Sequence, residues 1–295
     1  MSNNSQALGQ PAKSGRSFDT RWINKALLYL LLIVLAVPFV FPFWWMVMSS
    51  FKSASEIFAF PPKLVPTVWH WENFADTFAY QPFARHYFNS LYIAVIVTVG
   101  TVFLAAMSGY SFARIRFRGN TLLFVLLLSS LMMPIEVTII PNFFLMKYFN
   151  LINTHVPLIL IPVLGAGSVM GTFMMRQYYL SLPEEIEDAA RIDGLSRFGI
   201  FWYIALPLGK SAMGAVAILT FLASWNAYLE PLVFVDDLKL FTLPLSLNNF
   251  NDAYGLPLWH LQLAATTLSV VPILIVYIIA QRQFVESLAL SGVKG

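Results

Sequence analysis

The 295-residue sequence predicts an all-α integral membrane protein that crosses the bilayer six times, with both ends on the inner side. Three observations carry this. Only 11% of residues are charged while 58% are hydrophobic, and the mean hydropathy is +0.69; a soluble domain carries about 25% charged residues to cover its surface. The hydrophobic residues fall into six runs, each near the ~20 residues a helix needs to cross the hydrocarbon core, and none alternates as barrel strands would. Lys and Arg are also strongly segregated. An ordinary soluble enzyme and a disordered chain are therefore excluded. A net charge of +3 gives no general affinity for nucleic acid, which needs clustered basic charge on an exposed face. The absence of Cys removes disulfides, thiolate metal sites and a cysteine nucleophile.

Residues 1–25 read as a cytoplasmic tail, rich in Ser, Asn, Gln and Gly over 1–20, followed by a six-helix permeation domain over 26–284 and a short cytoplasmic tail over 285–295. The first run has no charge between Lys25 and Lys52. It is longer than the 7–15 residues of a signal-peptide core, so it reads as an uncleaved span. The second lies between Arg85 and Arg114, and the third runs from Thr121 to about Pro141, interrupted by Glu136. The fourth covers Val156 to Met175, the fifth Ser211 to Phe234 and the sixth Leu258 to Ala280. Pro38, Pro42, Pro162 and Pro272 predict kinks, because proline removes a helix donor.

Orientation follows from the bias of Lys and Arg to cytoplasmic loops. With the N-terminus inside, five of the 18 basic residues (Lys52, Lys63, Arg85, Lys147 and Lys239) lie outside and the other 13 inside. The outer segments 50–86 and 235–257 are long and rich in Pro, Trp, Phe and Asn. Trp69, Trp71 and Trp259 fit an interfacial aromatic belt and a contact surface about equally.

The inner segment between runs four and five is of another kind. SLPEEIEDAARIDGLSRF predicts a helix, a turn and a second short helix. Ser181 and Glu184 have capping-box spacing, and Pro183 suits a first turn. Glu184, Glu185, Glu187 and Asp188 sit at the positive end of the helix dipole, and Glu187 precedes Arg191 by four residues. Ile186, Ala189 and Ala190 are expected to share a face, Gly194 to end the helix in a left-handed turn, and Ser196 to cap the next. Amphipathic helices that lie on lipid carry Lys and Arg on the polar face, and an anionic leaflet repels acids. This acidic helix instead reads as a docking element for a cytoplasmic partner.

DAARIDG, nine residues, then Ile204-Ala205-Leu206-Pro207 resembles the EAA motif of ATP-binding-cassette importer permeases: E-A-A, three residues, G, nine residues, I-x-L-P. Asp188 stands where that pattern has Glu. FPFWWMVMSSFKSASEIF, WENF, NSLYIAVIVT, GYSFARIRFRG, LMMPIEVTIIP, LINTH, SWNAYLEPL, FTLPLSL and the terminal SGVKG extend the resemblance along almost the whole chain. They are similar to the carbohydrate-uptake branch, and to the smaller permease of maltose-type and glycerol-3-phosphate-type importers. Ala227 and Glu230 depart from the branch pattern.

The resemblance implies a type I importer permease fold with a cytoplasmic coupling helix within loop 181–207. Glu184, Glu185, Glu187, Asp188, Ala189, Ala190, Arg191, Asp193, Gly194, Ile204, Leu206 and Pro207 would couple to an ATPase, and Gly292, Val293, Lys294 and Gly295 would form a tail that reaches it. Leu247, Asn248, Asn249, Phe250 and Asn251 would meet an extracytoplasmic binding protein. The implied partners are a companion permease in a heterodimer, a cytoplasmic ATPase dimer holding ATP and Mg, the binding protein and its carbohydrate cargo. The implied location is the bacterial inner membrane, and the chain itself would bind no cofactor and catalyse no reaction.

Trp225, Asn226 and Tyr228, with Glu136 and Glu230, are candidates to line a cargo path, since stacking and hydrogen bonding suit a polyhydroxy ligand. Packing between spans explains the first three almost as well, and the place of the last two near the outer ends of their spans slightly favours plain interfacial carboxylates. Gly209-Lys210-Ser211 ends like a P-loop, but Ile204 occupies the position of its first glycine. Gly167 and Gly171 suit close helix packing. His70, His86, His155 and His260 have no metal-ligand spacing and read as solvated interfacial residues. The alternative in another class is an ion-gradient-driven secondary transporter, which calls for ionisable groups near the midplane.

Overall fold

The computed structural model of the protein describes residues 20–292, which are helical wherever regular. Val293, Lys294 and Gly295 of the expected tail lie outside the described residues, and Gly292 is the last residue of the final helix. The chain divides at Val47. The first unit is the body of α1 (Thr20–Ser50), exposed from Asn24 to Phe43 and running unbroken through Pro38 and Pro42. Its apolar side chains have no polar alternative, as expected of a helix whose solvent is hydrocarbon.

The second unit begins with two short outer helices, α2 (Ala54–Ile57) and α3 (Glu72–Tyr80), and then α4 (Phe83–Arg114), the long central helix. After the left-handed Gly119 come α5 (Asn120–Ser129) with one 3₁₀ turn, and α6 (Ile135–Tyr148). α7 (Val156–Leu164) and α8 (Ala166–Leu180) follow, then the inner helices α9 (Glu185–Ile192), α10 (Arg197–Ile200) and α11 (Leu206–Leu208). The rest comprises α12 (Lys210–Trp225), α13 (Leu229–Phe234), α14 (Leu243–Leu247) and α15 (Trp259–Gly292). The backbone continues as helix through the expected boundary at residue 284 and through Pro272.

Four helical spans are long and apolar enough to cross a membrane: 24–50, 83–114, 156–180 and 259–279. Among the described residues two bent pairs bring the number to six if each is counted as one span, Asn120–Met132 with Ile135–Tyr148 at 100° and Arg197–Leu208 with Lys210–Trp225 at 74°. The third span therefore does not run straight to Pro141. Pro134 forces Met133 out of helical geometry (φ −85°, ψ 115°), and the chain turns there. Nor does the fifth reach Phe234 as one helix, since α12 ends at Trp225 and a break at Asn226–Tyr228 precedes α13. The fourth is interrupted at Gly165, where a Cβ would lie 2.6 Å from the Ile161 carbonyl oxygen.

α4 packs along α8 and α12, and glycines set the spacing. A Cβ on Gly171 would meet the Ala105 Cβ at 2.8 Å and Val216 Cγ1 at 3.0 Å. Gly109 reciprocates from α4, where a Cβ would meet the Met175 Cβ at 2.6 Å. Gly167, expected to act with Gly171, faces the Pro162 carbonyl at the helix break and spaces no second helix.

The outer end of α4 is tied to the segment before α14. His86 is fully buried and its Nε2 lies 2.7 Å from the Leu238 carbonyl, so it is not the solvated residue expected. Asn89 Nδ2 donates to the carbonyls of Lys239 and Phe241, both at 3.0 Å, and the Leu243 N–H donates to Ser90 Oγ at 2.7 Å. His155 Nε2 lies 2.7 Å from the Leu240 carbonyl and its Nδ1 pairs with the Tyr92 hydroxyl. Among the described residues no group of three His, Asp or Glu side chains is arranged to hold a metal.

Candidate functional site

The inner site is built around Arg114, the last residue of α4. Its Nη2 donates to the Tyr179 and Leu182 carbonyls, both at 2.6 Å. Its Nε lies 3.2 Å from Glu187 Oε1, an ion pair without hydrogen-bond alignment, and Nη1 lies 3.7 Å from Glu184 Oε1. The Arg114 and Glu187 side chains are 6% and 11% exposed, so the pair is largely out of water. Tyr110 donates its hydroxyl to Glu187 Oε2 at 3.4 Å, and Arg191 reaches the same oxygen at 3.6 Å and Asp188 at 2.9 Å. One arginine thus fastens the short acidic helix to the end of α8 and to α4.

This arrangement divides the expected face of α9. Ala190 is buried against Tyr110, Tyr179, Ile200 and Phe201, whereas Ile186 and Ala189 are exposed with Glu185 and Asp188. Ile192 is 87% exposed and Phe198 68%, and Phe198 stacks on Trp202 at 6.2 Å. The capping box does not form: Ser181 donates to the Tyr178 carbonyl at 2.7 Å, and Glu184 occupies the N-cap without a side-chain bond. Gly194 has φ +85°, and Ser196 Oγ accepts from the Gly199 N–H at 3.2 Å. Asp193 is an exposed C-cap.

A five-residue π-helix, Phe201–Ala205, carries the chain into Leu206-Pro207, and such widened turns accommodate the donor that proline lacks. Ile204 and Leu206 pack on the Tyr110–Tyr179 core while Pro207 is exposed. Gly209 sits where a Cβ would be 3.0 Å from the Tyr179 hydroxyl, which explains a small residue before Lys210.

A second region is a cavity of about 540 Å³ between α4, α6, α7, α8, α12 and α13. Met133, Gly165 and Ala227, from three of the helix interruptions, line it, and so does Glu230. The other path candidates lie elsewhere. Trp225 is 2% exposed and packs on Phe221 and Tyr87, with its indole N–H 3.3 Å from the Ser269 carbonyl, so it is a packing residue and not a wall. Asn226 Nδ2 returns to the Leu222 carbonyl at 2.8 Å. Asn226, Tyr228 and Glu136 are exposed, outside the cavity lining.

On the outer side, Phe250 is 1% exposed, stacked on Tyr80 at 5.5 Å, and therefore cannot meet a partner. Leu247 and Asn251 are half-buried, and Asn248 and Asn249 are exposed. The projecting residues come just after: Asp252 Oδ1 accepts from the Tyr254 and Leu256 N–H groups, both at 2.9 Å, Gly255 has φ +78°, and Tyr254 is 91% exposed. Trp69 and Trp71 join Phe51 and Phe74 in one aromatic cluster, and Trp259 meets Phe58 at 6.0 Å. Nearby, burial holds the Lys52 ammonium below its ordinary pKa, and hydrogen bonds from Thr67 hold the Glu56 carboxyl below its own.

A family model described as binding-protein-dependent transport system inner membrane component matches residues 101–289, which include the whole Arg114–α9 assembly. The chain belongs to this family. It is a permease subunit of an ATP-binding-cassette importer, a multi-pass membrane component and not an enzyme. The permease is 34% identical to the arabinooligosaccharides transport system permease protein AraQ of Bacillus subtilis, over 92% of this chain and 97% of that one. It is 31% identical to the sn-glycerol-3-phosphate transport system permease protein UgpE of Yersinia pestis, over 88% and 94%. Its fold is that of a chain of a bacterial ABC transporter that imports the acidic polysaccharide alginate, with a TM-score of 0.73 over 92% of this chain and 99% of that one at 20% identity.

Arg114 was not singled out by sequence reasoning. It sits in the basic turn RIRFRG, which served to orient the chain and as part of the resemblance GYSFARIRFRG, and its acidic partners lie about 70 residues on. The signal available was its place at the last turn of an apolar span, where an arginine must find acceptors.

Proposed function

We propose that this permease moves a carbohydrate or related polyol across a bacterial inner membrane, as one half of a heterodimer with a companion permease. An extracytoplasmic binding protein delivers the cargo, and a cytoplasmic ATPase dimer holding ATP and Mg supplies the force. The observation that carries the coupling role is the α9 helix, tied inward by Arg114 while Glu185, Asp188, Ala189 and Ile192 face outward. Closure of the ATPase dimer would pull on that face, and the Arg114 link would pass the displacement to α4 and bias the two access states. The cargo class is supported by the likeness to AraQ and UgpE. Uptake by vesicles containing the whole importer tests the reading. Uptake should require ATP and the binding protein and be indifferent to ionophores; uptake that survives loss of ATP but collapses with an ion gradient would overturn it.

A further inference from the structure

Hydrocarbon offers no partners to a polar side chain, so polar groups at membrane depth pair with protein, with water in a cavity, or with what passes through it. Ser130 and Thr138, on the cavity wall, return their hydroxyls to carbonyls of their own helix, at 2.7 Å and 3.1 Å. Asn142, Thr220, Ser224, Glu230 and Thr242 also line the cavity, and among the described residues none of their side chains has a hydrogen bond or ion pair. Thr242, which reaches the cavity from the outer segment 235–257, is 5% exposed and its Oγ1 is buried without a partner. Three of the helix interruptions, at Met133, Gly165 and Ala227, open here as well, and broken helices are tolerated in a bilayer where they line a cavity. Such a wall is suited to hydroxyl groups, which donate to Glu230 and Asn142 and accept from Thr and Ser.

Glu230 is the one ionisable residue among those lining the cavity, with no Lys or Arg to balance it. A low-dielectric wall carrying one sign of charge favours the opposite sign and repels its own. We propose that this cavity is a cargo subsite for neutral polyhydroxylated molecules, with Glu230 as its specificity-determining residue, accepting hydroxyl donors and rejecting carboxylated or phosphorylated cargo. The proposal rests on the reading of the chain as a carbohydrate permease and narrows its substrate class.

This chain has no Cys, so in an importer whose other subunits are freed of Cys one introduced thiol can be followed alone. A thiol introduced by Ser224→Cys in the full importer, reconstituted in liposomes, is titrated with cationic, anionic and neutral methanethiosulfonates. The cationic reagent should react at least about threefold faster than the anionic one, after correction for their rates with free thiol, and adding Glu230→Gln should remove that ratio. Neutral cargo delivered by the binding protein with ATP should protect the thiol, and Glu230→Gln alone should raise the KM for uptake. A thiol beyond the reach of all three reagents overturns the subsite. A charge ratio untouched by Glu230→Gln, or an unchanged uptake KM, overturns the role of Glu230 while sugar uptake itself upholds the carbohydrate reading. Failure of the unmodified importer to take up any sugar would overturn that reading instead.

Discussion

Replacing Arg114 by Met removes the guanidinium and keeps an unbranched stem of similar bulk. Two hydrogen bonds to main-chain carbonyls, both at 2.6 Å, are lost, and bonds to charged groups contribute about 1.5–3 kcal/mol each. Glu187, only 11% exposed, also loses its nearest cation, and stripping one partner from a buried pair costs about 3–5 kcal/mol. The Glu184 contact adds little, because that carboxylate is 74% exposed. These terms overlap, and Arg191 remains 3.6 Å from Glu187, so a net effect of about 3 kcal/mol on docking of α9 is expected, or about 100-fold. Amide hydrogen exchange in the assembled importer reads this directly. Exchange within 185–192 should accelerate about 100-fold while α12 is unchanged, and cargo moved per ATP should fall. Arg114→Lys should be intermediate, since an ammonium cannot fork to two carbonyls and a carboxylate. Arg114→Met combined with Glu187→Met should recover part of the loss by removing the stranded charge. Unaltered exchange in α9 after Arg114→Met, or a double variant no better than the single, would refute the reasoning.

Gly194→Val should weaken ATPase copurification, at about 1–2 kcal/mol, while Gly194→Asn largely retains it; open space surrounds the missing Cβ, so only the left-handed backbone is being tested. Equal behaviour of the two variants would exclude that cause. Gly171→Leu should destabilise the bundle by about 1–3 kcal/mol or more, read as a lowered Tm in detergent, because the α4–α8 gap has no room even for a Cβ. The folded-state pKa of Glu56 is held down chiefly by the Thr67 hydroxyl bond, so its stabilisation is complete above the ordinary carboxylate pKa and is lost as pH falls through the lowered value. Wild type and Glu56→Gln should therefore differ in Tm at about pH 7, and the gap should begin to close only as pH falls below the ordinary carboxylate pKa of about 4.3; a constant gap would reject this.

Hydropathy and charge made the six spans and the acidic inner helix legible, because both are local sums along the chain. Direction is not such a sum. The apolar run through LMMPIEVTII conceals a 100° turn, although Pro134 marked its place, and the run from Ser211 hides the break after Trp225. Partners distant in sequence were equally out of view. His86 looked like a solvated residue at a span end, and only the return of the Leu238 carbonyl, about 150 residues later, makes it a buried one. Phe250 and Trp225 were chosen for chemistry that their burial denies them, whereas Glu230 faces the cavity. The capping box failed because Ser181 is still in helical geometry as the C-cap of α8, and α9 begins only at Glu185, with Glu184 as its N-cap.

α4 has 32 residues, which at 1.5 Å each makes a strut of about 48 Å. Its outer end is bolted to loop carbonyls through His86 and Asn89, and its inner end to α9 through Arg114. Neither joint depends on a chain of repacked side chains between them. If α4 tilts as one rod, both faces are displaced at once, and the coupling proposed above would then work in either direction: a partner that steadies the outer loop would steady the inner helix by the same free energy.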